Sequence, residues 1–209
     1  MIRALVAIAA SCLILLEGLF MVNAARARAT AHQMLQLVDK FRLGQTSKEE
    51  AVSAFRKLGI NPRDEGCSAA IGTCEGIYVD INNCLPRPDS FSLFHVLVCE
   101  VSIFRPTDLI GNFYFNSDRL ESGSVAFATD KASVGTAFAA ATYDEDAKES
   151  WETNHRTGSG GYFQVVARAR QPETSLKSAD NFNLGCLESI QGCNTELRLW
   201  PSVAGYKSK

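Results

Sequence analysis

An apolar run of 19 residues near the N-terminus, from Ala4 to Val22, constrains this chain more than any other feature. Only Ser11 and Glu17 interrupt it. As a helix, at about 1.5 Å per residue, it would match the apolar thickness of a bilayer. A secretory signal usually has a shorter apolar region, about 7–15 residues. The run therefore predicts a signal anchor or transmembrane helix over 1–24, or a signal cleaved near Ala24, and its length favours the anchor.

The remaining residues, 25–209, are predicted to form one exported domain on the periplasmic or extracellular side. The charge pattern opposes this orientation, because an excess of Lys and Arg after an apolar run favours the cytoplasm for that side. Those cations are Arg26, Arg28, Lys40 and Arg42. The cysteine content indicates the reverse, and we follow the cysteines.

Six cysteines follow the apolar run, an even number that predicts disulfides in an exported chain. They are Cys67, Cys74, Cys84, Cys99, Cys186 and Cys193. None has the close spacing of a zinc site, so no metal is predicted. The sequence leaves the pairing open; pairing of neighbours would join Cys67 to Cys74, Cys84 to Cys99 and Cys186 to Cys193. Residues seven apart on a straight helix lie about 10 Å apart, so this pair needs a bend, which Gly192 could provide.

Hydrophobic periodicity predicts an α+β fold in which a two-helix hairpin packs on a largely antiparallel β-sheet. The first helix is predicted over 25–43, continuing from the apolar run and stopped by Gly44. The second begins at Ser47, which has capping-box spacing to Glu50, and ends at Gly59.

Several later segments have the alternating or apolar pattern of strands. Asn116 to Arg119 is predicted to be a hairpin turn between two of them. The segment 144–161 is polar and Gly-rich and is predicted to be a mobile loop. The tail 181–201 is predicted to form a helical turn held by the last two cysteines. The predicted strands are 76–82, 93–104, 109–115, 120–129, 136–143 and 162–170.

The sequence predicts no catalytic residue, no cofactor and no metal site. Of the three histidines, His32, His95 and His155, only His155 falls in a polar segment with carboxylates near it in sequence. No hydrolase motif such as G-x-S-x-G or H-E-x-x-H occurs. The net charge of −2 gives no basic face for nucleic acid. A small-ligand or hydrolytic domain that uses the 144–161 segment is the alternative function.

Two stretches resemble one family. Leu43 to Gly59 is similar to the helix-turn-helix signature of small outer-membrane assembly lipoproteins, which share a fold with beta-lactamase-inhibitor-like domains. Phe113 to Leu120 resembles the strand–turn–strand of the same family. The resemblance implies two helices on an antiparallel sheet and a location in the cell envelope. The family's lipidated cysteine has no counterpart, because Cys12 lies inside the apolar run.

These observations together predict a membrane-anchored, non-enzymatic envelope protein. The N-terminal helix would bind the membrane, and the exported domain would bind a partner protein.

Overall fold

The structure, a computed structural model, describes residues 2–66, 74–84, 106–129, 132–139, 150–156, 162–169, 182–190 and 192–201. It is an α+β fold, as the sequence predicts, with one long N-terminal helix and a largely antiparallel sheet. The helices are α1 (Ile2–Val38), α2 (Lys48–Lys57), a 3₁₀ helix (Leu184–Glu188) and α3 (Glu196–Leu199). The strands are β1 (Arg63–Gly66), β2 (Cys74–Asn82), β3 (Thr107–Asn116), β4 (Arg119–Thr129), β5 (Ala132–Ala139), β6 (Ser150–Arg156) and β7 (Tyr162–Ala169).

The described strands form one sheet in the order β1-β2-β3-β4-β5-β7-β6. The first five are antiparallel neighbours in chain order, while β7 pairs parallel to β5 and antiparallel to β6. Among the described strands, β1 and β6 are therefore the two edges of the sheet.

The central strands alternate between a buried face and a more exposed face, which is the pattern of a sheet with one face on the core. In β2, Ile77 and Val79 are fully buried and Ile81 is 7% exposed. Tyr78 is half-buried and Asp80 is exposed on the other face. This confirms the strand predicted over 76–82.

The β3–β4 hairpin turns at Ser117 and Asp118, which have φ of 50° and 61°. Positive φ at both central residues is the geometry of a type I′ turn, whose twist suits a hairpin. The predicted turn and the strands on each side of it are confirmed.

Helix α1 is continuous with the apolar run, as predicted, and ends earlier than the predicted first helix, at Val38. Its second half carries a buried stripe, in which alternate steps of four and three residues keep the side chains on one face. The stripe consists of Phe20, Ala24, Ala27, Ala31, Met34 and Val38. Three alanines in a row along the stripe let the domain approach the helix backbone closely.

Helix α2 begins and ends as the sequence predicts. The Ser47 Oγ accepts a hydrogen bond from the Glu50 N–H at 3.1 Å, which caps the first turn. At the other end Gly59 has φ of +76°, and the Ile60 N–H donates to the Phe55 carbonyl at 3.1 Å. This is a Schellman motif, in which a glycine adopts the left-handed conformation and buried carbonyls find donors.

The predicted two-helix hairpin is not confirmed. Only α1 is a long helix, and it makes almost no close backbone contact with α2. The two meet through Phe41, beyond the end of α1, whose ring lies 5.5 Å from that of Phe55. Phe41 also packs edge-on against Phe113 of β3, at 5.7 Å. Phe55 packs against Phe113 as well, so the segment after α1 and helix α2 meet on the sheet through these aromatic rings.

The C-terminal tail, residues 182–190 and 192–201, covers the same face of the sheet as α1 and α2. Phe182 stacks on Phe127 of β4 and meets Trp200 edge-on, with ring centroids 5.9 and 5.1 Å apart. Leu187 and Leu199 are fully buried in the same core as α1 and α2. The predicted turn in the tail is confirmed as the 3₁₀ helix and α3.

The predicted loop over 144–161 is wrong in its middle part, because Ser150–Arg156 forms β6 and pairs with β7. The polarity of the segment predicts a loop, yet its Trp151 and Thr153 are residue types that favour strands. The short polar β1 was not predicted, and the strand predicted over 136–143 begins earlier, at Ala132. The predicted strand 93–104 lies outside the described residues.

Candidate functional site

The exposed part of α1 is the most unusual surface of the described protein. Its large apolar side chains are more than half exposed, and the helix is long and apolar enough to cross a membrane. Exposed apolar patches of this kind mark a membrane or protein contact. The residues are Val6, Ile8, Leu13, Ile14, Leu15, Leu19, Met21 and Val22.

The last residues of the apolar run already pack against the domain, so the exposed surface and the domain contact overlap along α1. Phe20 is 1% exposed and forms a small core with Ala24 and Cys84, against which Leu16 also packs. Phe20 belongs to the apolar run, whereas Cys84 follows β2 in the domain. No linker therefore separates the apolar run from the domain, and we call this contact region the junction.

A completely buried asparagine, Asn83, organises the junction. Its Nδ2 donates to the Leu187 carbonyl at 3.0 Å, and its Oδ1 accepts from the Thr107 N–H at 2.9 Å. Its backbone N–H donates to the Thr107 carbonyl at 3.2 Å. An asparagine suits this position because its amide offers both a donor and an acceptor, and burial without both partners would be costly.

Helix α1 joins the same network through Asn23, the first residue after the apolar run. The Asn23 Nδ2 donates to the backbone carbonyls of Asn83 and Cys84, at 3.0 and 2.6 Å. The amide thus binds the helix to the end of β2 at the level where the apolar run stops.

The tail supplies the third side of the junction. Glu188 forms an ion pair with Arg28 of α1, with 2.5 Å between Oε2 and Nη1. Both side chains are substantially exposed, at 51% for Arg28 and 37% for Glu188. An ion pair of this kind contributes at most about 1 kcal/mol, so it aligns the tail with the helix more than it stabilises the fold.

Two of the predicted disulfide cysteines, Cys186 and Cys193, are joined to each other, with Cα atoms 5.2 Å apart. Gly192 supplies the predicted bend, with φ of +60°. Cys84 is disulfide-bonded as well. The side chains of Cys67, Cys74 and Cys99 lie outside the described part of the chain. Cys12, in the apolar run, is free and exposed.

A second polar cluster lies at the N-terminus of α2. The Lys48 Nζ contacts Glu75 at 2.8 Å and Asp64 at 2.9 Å, and these hydrogen bonds raise the pKa of the lysine. The Lys48 N–H donates to Asp118 Oδ1 at 3.1 Å, so Asp118 helps to cap the helix. The cluster borders a shallow depression of about 290 Å³. Every one of these polar groups has a partner, so the cluster is explained by its structural role.

The other sheet face carries two half-buried tyrosines. The pKa of Tyr78 is raised, first by burial and then by the charge of Asp80. The pKa of Tyr114 is raised by burial and by Glu65. Burial therefore favours the protonated form of both phenols.

The candidate histidines do not come together in the part of the chain that is described. His32 is on α1, with its Nε2 3.0 Å from Gln36 Nε2. The backbone of His155 is in β6 opposite Phe163, and its side chain lies outside the described residues, as does all of His95. Within the described ranges, no group of three His, Cys, Asp or Glu side chains could hold a metal ion.

The residues that form the junction, Asn23 and Asn83, were not singled out from the sequence. Asn83 follows a predicted strand and looks like an ordinary turn residue, while its partner Leu187 is 104 residues away. Comparison with known proteins finds no family model, no curated protein and no solved structure that matches this chain.

Proposed function

We propose that this protein is a single-pass membrane protein whose helix α1 is retained as an anchor. Its domain, on the periplasmic or extracellular side, would bind a partner protein of the cell envelope without catalysing a reaction. The observation that carries this proposal is the continuity of α1, which passes from an exposed apolar surface into the core of the domain with no break.

Retention of the anchor is supported by what cleavage near Ala24 would remove. The domain would lose Phe20, whose burial contributes about 1.5–3 kcal/mol. It would also lose the two hydrogen bonds of Asn23, each worth about 1 kcal/mol. A cleaved signal normally makes no such contribution to the mature fold.

The exported orientation is supported by the disulfide between Cys186 and Cys193, since structural disulfides persist in oxidising compartments. The interaction role is supported by β1 and β6, which are the outermost of the described strands, because the edge of a sheet can pair with a partner strand. No observation on the described residues favours the ligand-binding or hydrolytic alternative around His155.

The anchor and its orientation are tested together in native membranes. The protein should resist extraction by alkaline carbonate, and the intact mass should include residues 1–24. A protease added outside the membrane should digest the domain, and a thiol reagent should leave Cys186 and Cys193 unmodified until a reductant is added. A mature N-terminus at residue 25, or a domain protected from outside protease, would contradict the proposal.

The interaction role is tested by photocrosslinking at exposed positions in intact membranes. A crosslinking amino acid in place of Arg63, on edge strand β1, should give an adduct of one defined mass. The matched control replaces Gln36, which is exposed on α1 on the side of the helix opposite the buried stripe. Absence of an adduct at Arg63 and at further positions along β6 would refute binding through the edges.

A further inference from the structure

We propose that the loop Cys186–Cys193, with Ile190 as its apolar contact, is a second membrane-binding element that lies in the phospholipid headgroup layer beside α1. This inference rests on the proposed function, because it requires the apolar run of α1 to be in a bilayer. The disulfide closes the loop, which we call the stapled loop.

The first observation is the exposure of Ile190. It is 51% exposed, and among the described residues it is the one large hydrophobic side chain outside α1 that is exposed to this extent. A single exposed isoleucine is common on protein surfaces, so exposure alone does not identify a contact. The further evidence for a contact is the position of Ile190 near α1 and the set of contacts that hold its loop.

The stapled loop is held from several sides. Cys186 and Leu187 are fully buried, and Cys193 is 6% exposed. Within the loop the Ser189 N–H donates to the Cys186 carbonyl, and the Gly192 N–H donates to the Ser189 carbonyl. A rigid loop loses little conformational entropy when its apolar side chain enters another phase, so even one isoleucine can make a favourable contact.

The loop is attached to α1 close to the end of the apolar run. Leu187 binds Asn83, which in turn binds Asn23, and Glu188 binds Arg28. Asn23 follows Val22 directly, whereas Arg28 is six residues beyond Val22, a rise of about 9 Å. Each headgroup layer is about 5–7 Å thick, so these attachments span its height. Ile190 is two residues from Glu188 and within reach of this layer.

The charge at this level suits a phospholipid surface. Arg26 is exposed in the first turn of α1 after the apolar run, whereas the charge of Arg28, in the next turn, is paired with Glu188 of the stapled loop. An exposed arginine at this height attracts lipid phosphates, while an apolar side chain at the same level enters the boundary of the acyl chains. Lipid on one side of the domain would fix its tilt relative to the membrane, which a single helix does not do.

The test uses the full-length protein in vesicles of phosphatidylcholine and phosphatidylglycerol, with dansylalanine as a fluorescent amino acid at position 190. The matched control carries it at position 117, in the exposed β3–β4 turn. That turn is ten residues along β3 from Thr107, which binds Asn83 at the junction, so it lies about 33 Å from it. The label avoids any new cysteine near the disulfide.

We expect the label at 190 to show blue-shifted emission and several-fold stronger quenching by nitroxide lipids than the label at 117. Iodide in the water should quench the label at 117 more strongly. If the protein floats with the vesicles but both labels behave alike, the stapled loop is not a membrane contact. If the protein does not float with the vesicles, the anchor fails, and the failure overturns the proposed function together with this inference.

Discussion

The place where α1 crosses the sheet leaves no room for a side chain on Gly111 of β3. A Cβ there would lie 2.7 Å from Met34 Cε. It would also lie 2.8 Å from Phe113 Cε2 and 2.9 Å from Val79 Cγ2. The end of Met34 can move, but Val79 is β-branched and Phe113 is held in an aromatic cluster. We therefore expect Gly111→Ala to overpack the core and to lower the free energy of unfolding by about 1–3 kcal/mol.

The measurement is urea unfolding of the purified protein in detergent, followed by near-ultraviolet circular dichroism of the aromatic core. The midpoint should fall while the slope with urea stays the same, because the surface exposed on unfolding is unchanged. The matched control is Gly66→Ala in β1, where a Cβ would meet nothing within 4 Å. That variant should be as stable as the parent or slightly more stable. Full stability of Gly111→Ala, or an equal loss in both variants, would refute the packing argument.

Four further predictions concern stability and use the same unfolding assay. Asn83→Ala leaves a buried N–H and a buried carbonyl unpaired and should cost about 2–4 kcal/mol; a loss below 1 kcal/mol would contradict its role. Replacing Cys186 and Cys193 by Ala should cost about 2.5 kcal/mol, since it opens a short loop, and reductant should then have no further effect on this loop. Ser47→Ala should cost about 1 kcal/mol through the lost cap of α2, and Ser47→Gly less. Lys48→Met should cost at most about 1 kcal/mol at neutral pH. Because the pKa of Lys48 is raised above its ordinary 10.5, this contribution is complete below 10.5 and disappears as the pH rises through the raised value.

The sequence predicts those parts of the fold whose signals are local. The alternation of Ile77, Val79 and Ile81 identifies β2, and a two-residue polar turn identifies the β3–β4 hairpin. Ser47 and Gly59 identify the limits of α2, because caps and left-handed glycines act within one turn of the helix.

The parts that were missed depend on distant partners. Strand β1 is short and polar and exists through its pairing with β2, so it has no apolar pattern of its own. Strand β6 likewise depends on β7. The junction was missed because Leu187, the partner of Asn83, is 104 residues away, and no local sequence pattern predicts such a contact. The buried stripe of α1 was partly hidden, since Phe20 and Ala24 look like ordinary members of an apolar run or a cleavage site.

Because helix α1 is continuous, its exposed apolar half and the half that carries the buried stripe move together. The C-terminal half of α1 packs against the domain, and its N-terminal half exposes an apolar surface. A rotation of α1 about its long axis, or a change in its inclination, would therefore turn the whole sheet through the same angle. In a membrane, a neighbouring helix that rotated α1 would therefore also displace the β3–β4 turn at the far end of the sheet.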